Sequence, residues 1–152
     1  MRFLGNIEAK MDAKGRAFLP SGFRKELDAE GVERLVVRKD VFTPCLVLYP
    51  ENVWNSLIDT MQSRLSRWNG AHRQIMRQFV SDVEIVSPDS NGRVLISARL
   101  RQLAGITGAI RFIGMDDTIE LWSAENSGKP FMEAGEFSKA LEDIMSTGRD
   151  ER

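Results

Sequence analysis

Only one cysteine, Cys45, and one histidine, His72, occur in the 152 residues. A lone cysteine excludes an internal disulfide, and the pair is too small a donor set for zinc, so a reducing, cytoplasmic setting fits best. No run of 18 apolar residues is present to span a bilayer, and the opening Met1-Arg-Phe-Leu-Gly-Asn-Ile-Glu8 is too polar for the core of a signal peptide. The expectation is a protein neither exported nor embedded in a membrane. Catalytic patterns are equally scarce. His72 stands beside no Ser or Cys nucleophile motif, and Cys45 lies in an apolar stretch. Gly128-Lys129-Pro130 lacks both the glycine-rich lead and the Ser/Thr of a phosphate loop, and Asp116-Asp117 reads as a turn rather than a metal site. The expected inventory is therefore no catalytic residue, no metal, no cofactor and no small-molecule substrate.

Apolar residues make up 42% of the chain and charged residues 28%, which argues for a folded globular protein and against disorder. A chain of this length can bury roughly 70% of its unfolded surface without covalent staples. The formal net charge of −1 disfavours nucleic acid as a partner until its distribution is considered. Residues 1–27 carry six bases against three acids, residues 125–152 four against seven, and Met61 to Ser81 holds Arg64, Arg67, Arg73 and Arg77 with no acid. The chain is polarised although its sum is near zero.

An internal repeat organises it. A shift of 77 positions lays Asp12-Ala-Lys-Gly-Arg-Ala-Phe-Leu-Pro-Ser-Gly-Phe-Arg24 over Asp89-Ser-Asn-Gly-Arg-Val-Leu-Ile-Ser-Ala-Arg-Leu-Arg101. Asp, Gly, Arg and the final Arg coincide, and Ala17/Val94, Phe18/Leu95, Leu19/Ile96 and Phe23/Leu100 are apolar pairs. Two copies are too few for a solenoid, so a pseudo-symmetric closed unit is expected.

Within each copy the order of elements is the same. Ile7, Ala9 and Met11 alternate with charged residues as in a half-buried strand; Asp12-Ala-Lys-Gly15 reads as a turn; Ala17 to Leu19 resumes a strand; Pro20-Ser21 opens a short helix that Gly31 ends. Strands at Leu35 to Val37 and Cys45 to Tyr49 follow. The second copy runs through Val83 to Val86, the Asp89 to Gly92 turn, Val94 to Ile96, a helix around Ala98 to Leu103, and strands at Ala109 to Ile113 and Thr118 to Trp122. Apolar residues at helical spacing predict further helices over Val53 to Trp68, Ala71 to Val80 and Phe137 to Met145. These helices lie outside the repeated motif and are candidates for subunit contacts. The division is 1–80 as a first half-domain with a helical insertion, 81–145 as a second with a carboxy-terminal helix, and 146–152 as a charged, flexible tail.

The paired Asp-x-x-Gly-Arg turns carry the most information. A tight hairpin tip would project Lys14 and Arg16, or Asn91 and Arg93, from a rigid sheet. Arginine's fork matches guanine, asparagine can pair with adenine, and lysine neutralises phosphate. The plain alternative is a good turn whose arginines are solvated or pair with the neighbouring Asp. Arg24 and Arg101 recur at one offset and, like Lys10, could reach phosphate; for the two arginines a structural pairing with Asp12, Asp89 or a backbone carbonyl is the other reading. The arginines from 64 to 77 are a solvated face, a backbone clamp or a seat for an acidic subunit partner. Trp54, Trp68 and Trp122 read as core or interface packing rather than a stacking platform.

These motifs give the chain a close resemblance to the MraZ family. It rests on Asp12-Ala-Lys-Gly-Arg-Ala-Phe-Leu-Pro20 and Asp89-Ser-Asn-Gly-Arg-Val-Leu-Ile96, on Gly5 to Asp12, on Leu46-Val-Leu-Tyr-Pro50 with the Trp54 helix after it, and on Leu100-Arg-Gln-Leu-Ala-Gly105. The resemblance implies a mainly β, α+β fold: an AbrB-like double-split β-barrel of two internal repeats with peripheral helices, swapping strands about a pseudo-twofold axis. It further implies a bacterial transcription regulator that associates with the nucleoid, binds direct repeats in the promoter of the division and cell-wall gene cluster, and assembles into rings. Carried over by position, the DNA-binding residues would be Lys14, Gly15 and Arg16 with Asn91, Gly92 and Arg93. Asn91 departs from the lysine of the first copy, which leaves the second loop less positive, and beyond Ser123 the likeness fades. A scaffold whose basic loops bind an acidic protein is the competing reading.

Overall fold

The strand that enters the first turn and the strand that leaves it do not pair with each other. In the computed structural model, which describes residues 1–125 and 129–150, β1 (Asn6–Lys10) runs antiparallel to β7 (Ala109–Met115), and β2 (Arg16–Phe18) runs antiparallel to β6 (Arg93–Leu95). The expected hairpin tip is thus corrected to a corner between two sheets. A three-residue strand presents little to a local partner, and β2 completes its ladder with the equivalent strand of the other repeat, which buries Ala17 and Val94 together.

The same exchange runs through the whole fold. Helix α1 (Ser21–Ala29) follows β2, then β3 (Leu35–Lys39), β4 (Leu46–Pro50), α2 (Glu51–Arg64), α3 (Gly70–Ser81) and β5 (Val83–Val86); α4 (Ala98–Leu103) follows β6, and β8 (Thr118–Ser123) and α5 (Ala134–Asp150) complete the chain. One sheet has the strand order β1-β7-β8-β4-β3-β5, and a second consists of β2 and β6. Each repeat lends its first strand to the other repeat's strand pair: β1 lies on β7, and β5 lies on β3. Ala17 faces Val94, its own positional mate, across β2 and β6. The order therefore reads the same from either end, as a pseudo-twofold requires. The six-stranded sheet is open, with β1 and β5 at its edges, which corrects the expectation of a closed unit; the mixed α+β class stands.

The core lies between the two sheets and the short helices. Phe3, Leu19, Leu35, Leu48, Ile96, Leu100, Ile110, Phe112, Ile119 and Leu121 are all essentially inaccessible to solvent. Phe23 of α1 and Leu100 of α4 are mates and anchor equivalent helices, with Phe23 edge-on to Phe3. Ser97 caps α4, its Oγ accepting the Leu100 amide at 3.2 Å, whereas α1 begins after Pro20.

The helical arm between the repeats is built differently. Trp54 of α2 stacks on Phe79 of α3 with ring centroids 5.4 Å apart and lies edge-on to Tyr49. Arg38, buried in β3, donates from Nε to the Phe79 carbonyl at 3.0 Å and lies over that ring, tying the end of α3 to the sheet. Neither α2 nor α3 has a fully buried residue. Helix α2 ends at Arg64, four residues before the expected limit, because Leu65 turns extended and Asn69 starts α3 by capping the Ala71 and His72 amides. Trp122 is buried, but Trp68 is 98% exposed, so core packing is excluded for it within one chain. Helix α5 runs on to Asp150, through most of the stretch expected as a tail; Glu151 and Arg152 lie outside the described residues, as does Gly128 of the Gly-Lys-Pro triplet. Among the described residues no helix is long and apolar enough to cross a membrane.

Leu19 and Ile96 are mates in one core, so Leu19→Ala and Ile96→Ala should each cost about 2–5 kcal/mol in urea unfolding at fixed protein concentration. Cys45 is buried and its thiol is pushed up to about 12 by burial, so it should resist a thiol reagent at pH 8 until the chain is unfolded.

Candidate nucleic-acid interface

Both turns are built by the same five hydrogen bonds. Asp12 Oδ1 accepts the amides of Lys14 at 3.0 Å and Arg16 at 2.8 Å, and its Oδ2 accepts Arg16 Nε at 2.8 Å. Asp89 does the same with the amides of Asn91 and Arg93 and with Arg93 Nε, each at 2.9 Å. The Gly15 amide donates to the Asp12 carbonyl and the Gly92 amide to the Asp89 carbonyl, while the Asp12 and Asp89 amides donate to the carbonyls of Arg16 and Arg93. Aspartate suits this place because its short arm carries two acceptors, one for its own downstream amides and one for the guanidinium.

These bonds fix the arginines. Nε of each is engaged by its own Asp, which orients the guanidinium, while its terminal nitrogens make no hydrogen bond among the described residues. Lys14 and Asn91 stand exposed at the two tips. The backbone amides of Arg16 and Arg93, together with the paired guanidiniums, hold the Asp12 and Asp89 carboxyls below the ordinary value of 3.8.

The glycines receive the opposite repeat. Gly15 has φ +88° and Gly92 φ +81°. A β-carbon on Gly15 would lie 2.5 Å from the Ile96 carbonyl oxygen and 2.9 Å from Arg101 Nε, and one on Gly92 would overlap the guanidinium of Arg24. The Leu19 amide donates to the Gly92 carbonyl at 3.0 Å, and Ile96 donates to Gly15 at 2.8 Å. Arg24 and Arg101 are thus brought against the turns, each on that of the other repeat. Arg101 Nε donates to the Ile96 carbonyl at 3.1 Å; Arg24 Nε is buried without a partner among the described residues. Neither pairs with Asp12 or Asp89. Lys10 ends β1, exposed, opposite Ala109.

Two members of this surface escaped the sequence reading. The register sets Arg16 opposite Leu95 and Phe18 opposite Arg93, and with Ala17 and Val94 turned inward those four residues share the outer face of the ribbon. Phe18 and Leu95 are 58% and 56% exposed, and the Arg93 guanidinium lies 5.9 Å from the Phe18 ring centre. Alternation within Arg16-Ala-Phe18 already puts Arg16 and Phe18 on one side; which side is buried depends on the partner strand. His72 serves locally, its Nδ1 accepting the Ser66 amide at 2.9 Å. Among the described residues no group of His, Cys, Asp or Glu could hold a metal ion.

A family model described as "MraZ protein, putative antitoxin-like" matches residues 2–78 and 80–143. The chain is 58% identical over 146 residues to the transcriptional regulator MraZ of Bacteroides thetaiotaomicron, covering 96% of this chain and 94% of that protein. It is 56% identical over 150 residues to the protein of the same name from Phocaeicola vulgatus, covering 99% and 97%, and 34% identical over 123 residues to that of Serratia proteamaculans, covering 81% and 80%.

Gly15→Ala meets a backbone carbonyl as well as an unfavourable φ and should destabilise the fold by more than about 2 kcal/mol; Gly92→Ala meets a movable side chain and should cost about 1–2 kcal/mol, as read by denaturant unfolding. Because the Asp12 and Asp89 carboxyls are depressed, their stabilisation is complete above about pH 4 and is lost as pH falls through the lowered values. The Lys14 and Asn91 amide resonances should therefore stay unchanged from pH 7 to about pH 5 and shift only in stronger acid.

Proposed function

The chain belongs to the MraZ family, and on that premise we propose that it is a sequence-specific DNA-binding transcriptional regulator that reads promoter repeats of the division and cell-wall gene cluster with its paired turns. In this reading it acts in the cytoplasm at the nucleoid, as a ring-shaped homo-oligomer and not as an enzyme. The observation that carries it is the outer face of the β2–β6 ribbon, where two turns with the same hydrogen bonding present Arg16 and Arg93 with their terminal nitrogens available.

The B-DNA major groove, about 12 Å wide, admits a two-stranded β-ribbon. An arginine held by Nε keeps two nitrogens for guanine O6 and N7, and a fork aligned beforehand loses less rotamer freedom on binding. Phe18 and Leu95 between the arginines suit the methyl groups of thymine. The Lys14 and Asn91 side chains suit phosphates or base edges, with Gly15 and Gly92 shaping the backbone that carries them. Lys10 lies nearby as a phosphate contact, whereas Arg24 and Arg101 support the turns from the other repeat.

Charge sets a limit on one chain. Lys14 and Arg16 against Asp12 leave the first turn at +1, and Arg93 against Asp89 leaves the second neutral. So small a charge neutralises few phosphates, and affinity has to come from several copies on successive repeats, where linkage multiplies it by roughly 10² to 10⁴.

Fluorescence anisotropy at about 150 mM salt, comparing duplex from the chain's own division-cluster promoter with a shuffled duplex of equal length, tests the reading. The promoter should bind tighter, and Arg16→Ala and Arg93→Ala should each cost at least about tenfold. Lys14→Ala should weaken both duplexes alike and reduce the salt slope by about one. Equal, weak and strongly salt-dependent binding to both duplexes would instead favour a scaffold for an acidic protein.

A further inference from the structure

We propose that α5 of one copy docks in the basic cleft between α2 and α3 of a second copy, so that the chains join head to tail. The proposal rests on the self-assembly included in the reading above and identifies the surfaces that would perform it.

Helix α5 has 17 residues, and from Ala134 to Thr147 every side chain is exposed except Ala140, which is half-buried. A helix of this length is marginal alone in water and gains its stability by covering an apolar face. That face is present: Phe137, Leu141 and Ile144, at steps of four and three, are 55%, 47% and 67% exposed. At about 100° per residue Glu136 lies about 105° from the middle of the stripe, Asp143 about 125° on the same side and Glu142 about 135° on the other, with Lys139 between the last two on the far side.

The cleft has the opposite chemistry. It encloses about 530 Å³ and is lined by Leu65, Trp68 and Met76 together with Arg67, Arg73 and Arg77. No acid occurs from Met61 to Ser81, and among the described residues none of α5 lines the cleft in its own chain. Asn69 at the start of α3, the Ser66–His72 hydrogen bond and the Arg38 tether at its end hold the walls in place, so little ordering is needed on binding.

Charge selects the occupant. Two α5 helices face to face would set acid against acid, and two clefts would set arginine against arginine; only α5 on the cleft pairs apolar with apolar and acid with base. Duplex DNA could satisfy the arginines but would leave Trp68 and the α5 stripe wet. A contact between unlike surfaces is heterologous, and its repetition closes a ring when the rotation permits.

The test is light scattering on the full chain without DNA, at low salt, with circular dichroism on every variant. Arg73→Glu with Arg77→Glu, and separately Glu136→Lys with Asp143→Lys, should each abolish the wild-type assembly while leaving the spectrum unchanged. An equimolar mixture of the two variants should restore the assembly, because each reversed surface then meets its complement. Wild-type mass in either variant, or folded variants that fail to reassemble on mixing, would overturn the proposal; so would an Arg73→Glu, Arg77→Glu chain that stays assembled but loses DNA. A wild-type chain that is monomeric throughout would instead remove the assembly reading on which the proposal stands.

Discussion

Two backbone hydrogen bonds, from Leu19 to the Gly92 carbonyl and from Ile96 to the Gly15 carbonyl, join each strand exit of one repeat to the turn of the other. They continue the β2–β6 ladder into the turns, so the outer ribbon, the inner pair Ala17/Val94 and the buried mates Leu19 and Ile96 form one unit. The carbonyls can be approached this closely because their residues have no β-carbon. The arginines that follow use the same opening. Neither turn is complete inside its own repeat, and this dependence makes a cooperative object out of two sequences that could each have folded locally.

The turns, the 77-residue offset and the approximate strands were legible because they are local: aspartate bonding its own backbone, and alternation of apolar with charged residues, need no partner. What was hidden was pairing. Periodicity in Ile7, Ala9 and Met11 marks a strand without saying that β7 rather than β2 lies beside it, and the exposed positions of Phe18 and Leu95 follow from that choice. Arg38 reads in sequence as the end of an apolar run, yet it spans 41 positions to reach Phe79. The helical spacing from Val53 to Trp68 continues past the helix end, since apolar spacing cannot register the extended backbone of Leu65. Of the candidate site residues, the tips and their arginines were apparent from motif chemistry; the placing of Arg24 and Arg101 on the opposite glycines follows from the exchange of strands between repeats.

Charge is segregated by element rather than by half. The ribbon carries arginines each oriented by its own aspartate, the arm carries arginines around an apolar floor, and α5 carries acids beside an apolar stripe. A near-neutral total is then no guide to what each surface can bind. The arm and α5 also share a structural deficit, having no fully buried side chain among the described residues, in contrast to the short α1 and α4, which are anchored by Phe23 and Leu100.

Across β4 and β8, Val47 stands opposite Glu120, and Glu120 accepts the indole nitrogen of Trp122 at 2.9 Å. Two separate identical chains would have to place like against like on such an axis, and any change would appear twice. Covalent joining lifts that restriction: Val can oppose Glu, and Lys14 can stand where its mate is Asn91. A molecule so joined has a front and a back. Laid on a nucleic-acid duplex it would distinguish one direction along the helix from the other, a property that suits sites repeated in tandem and that a perfect palindrome could not exploit.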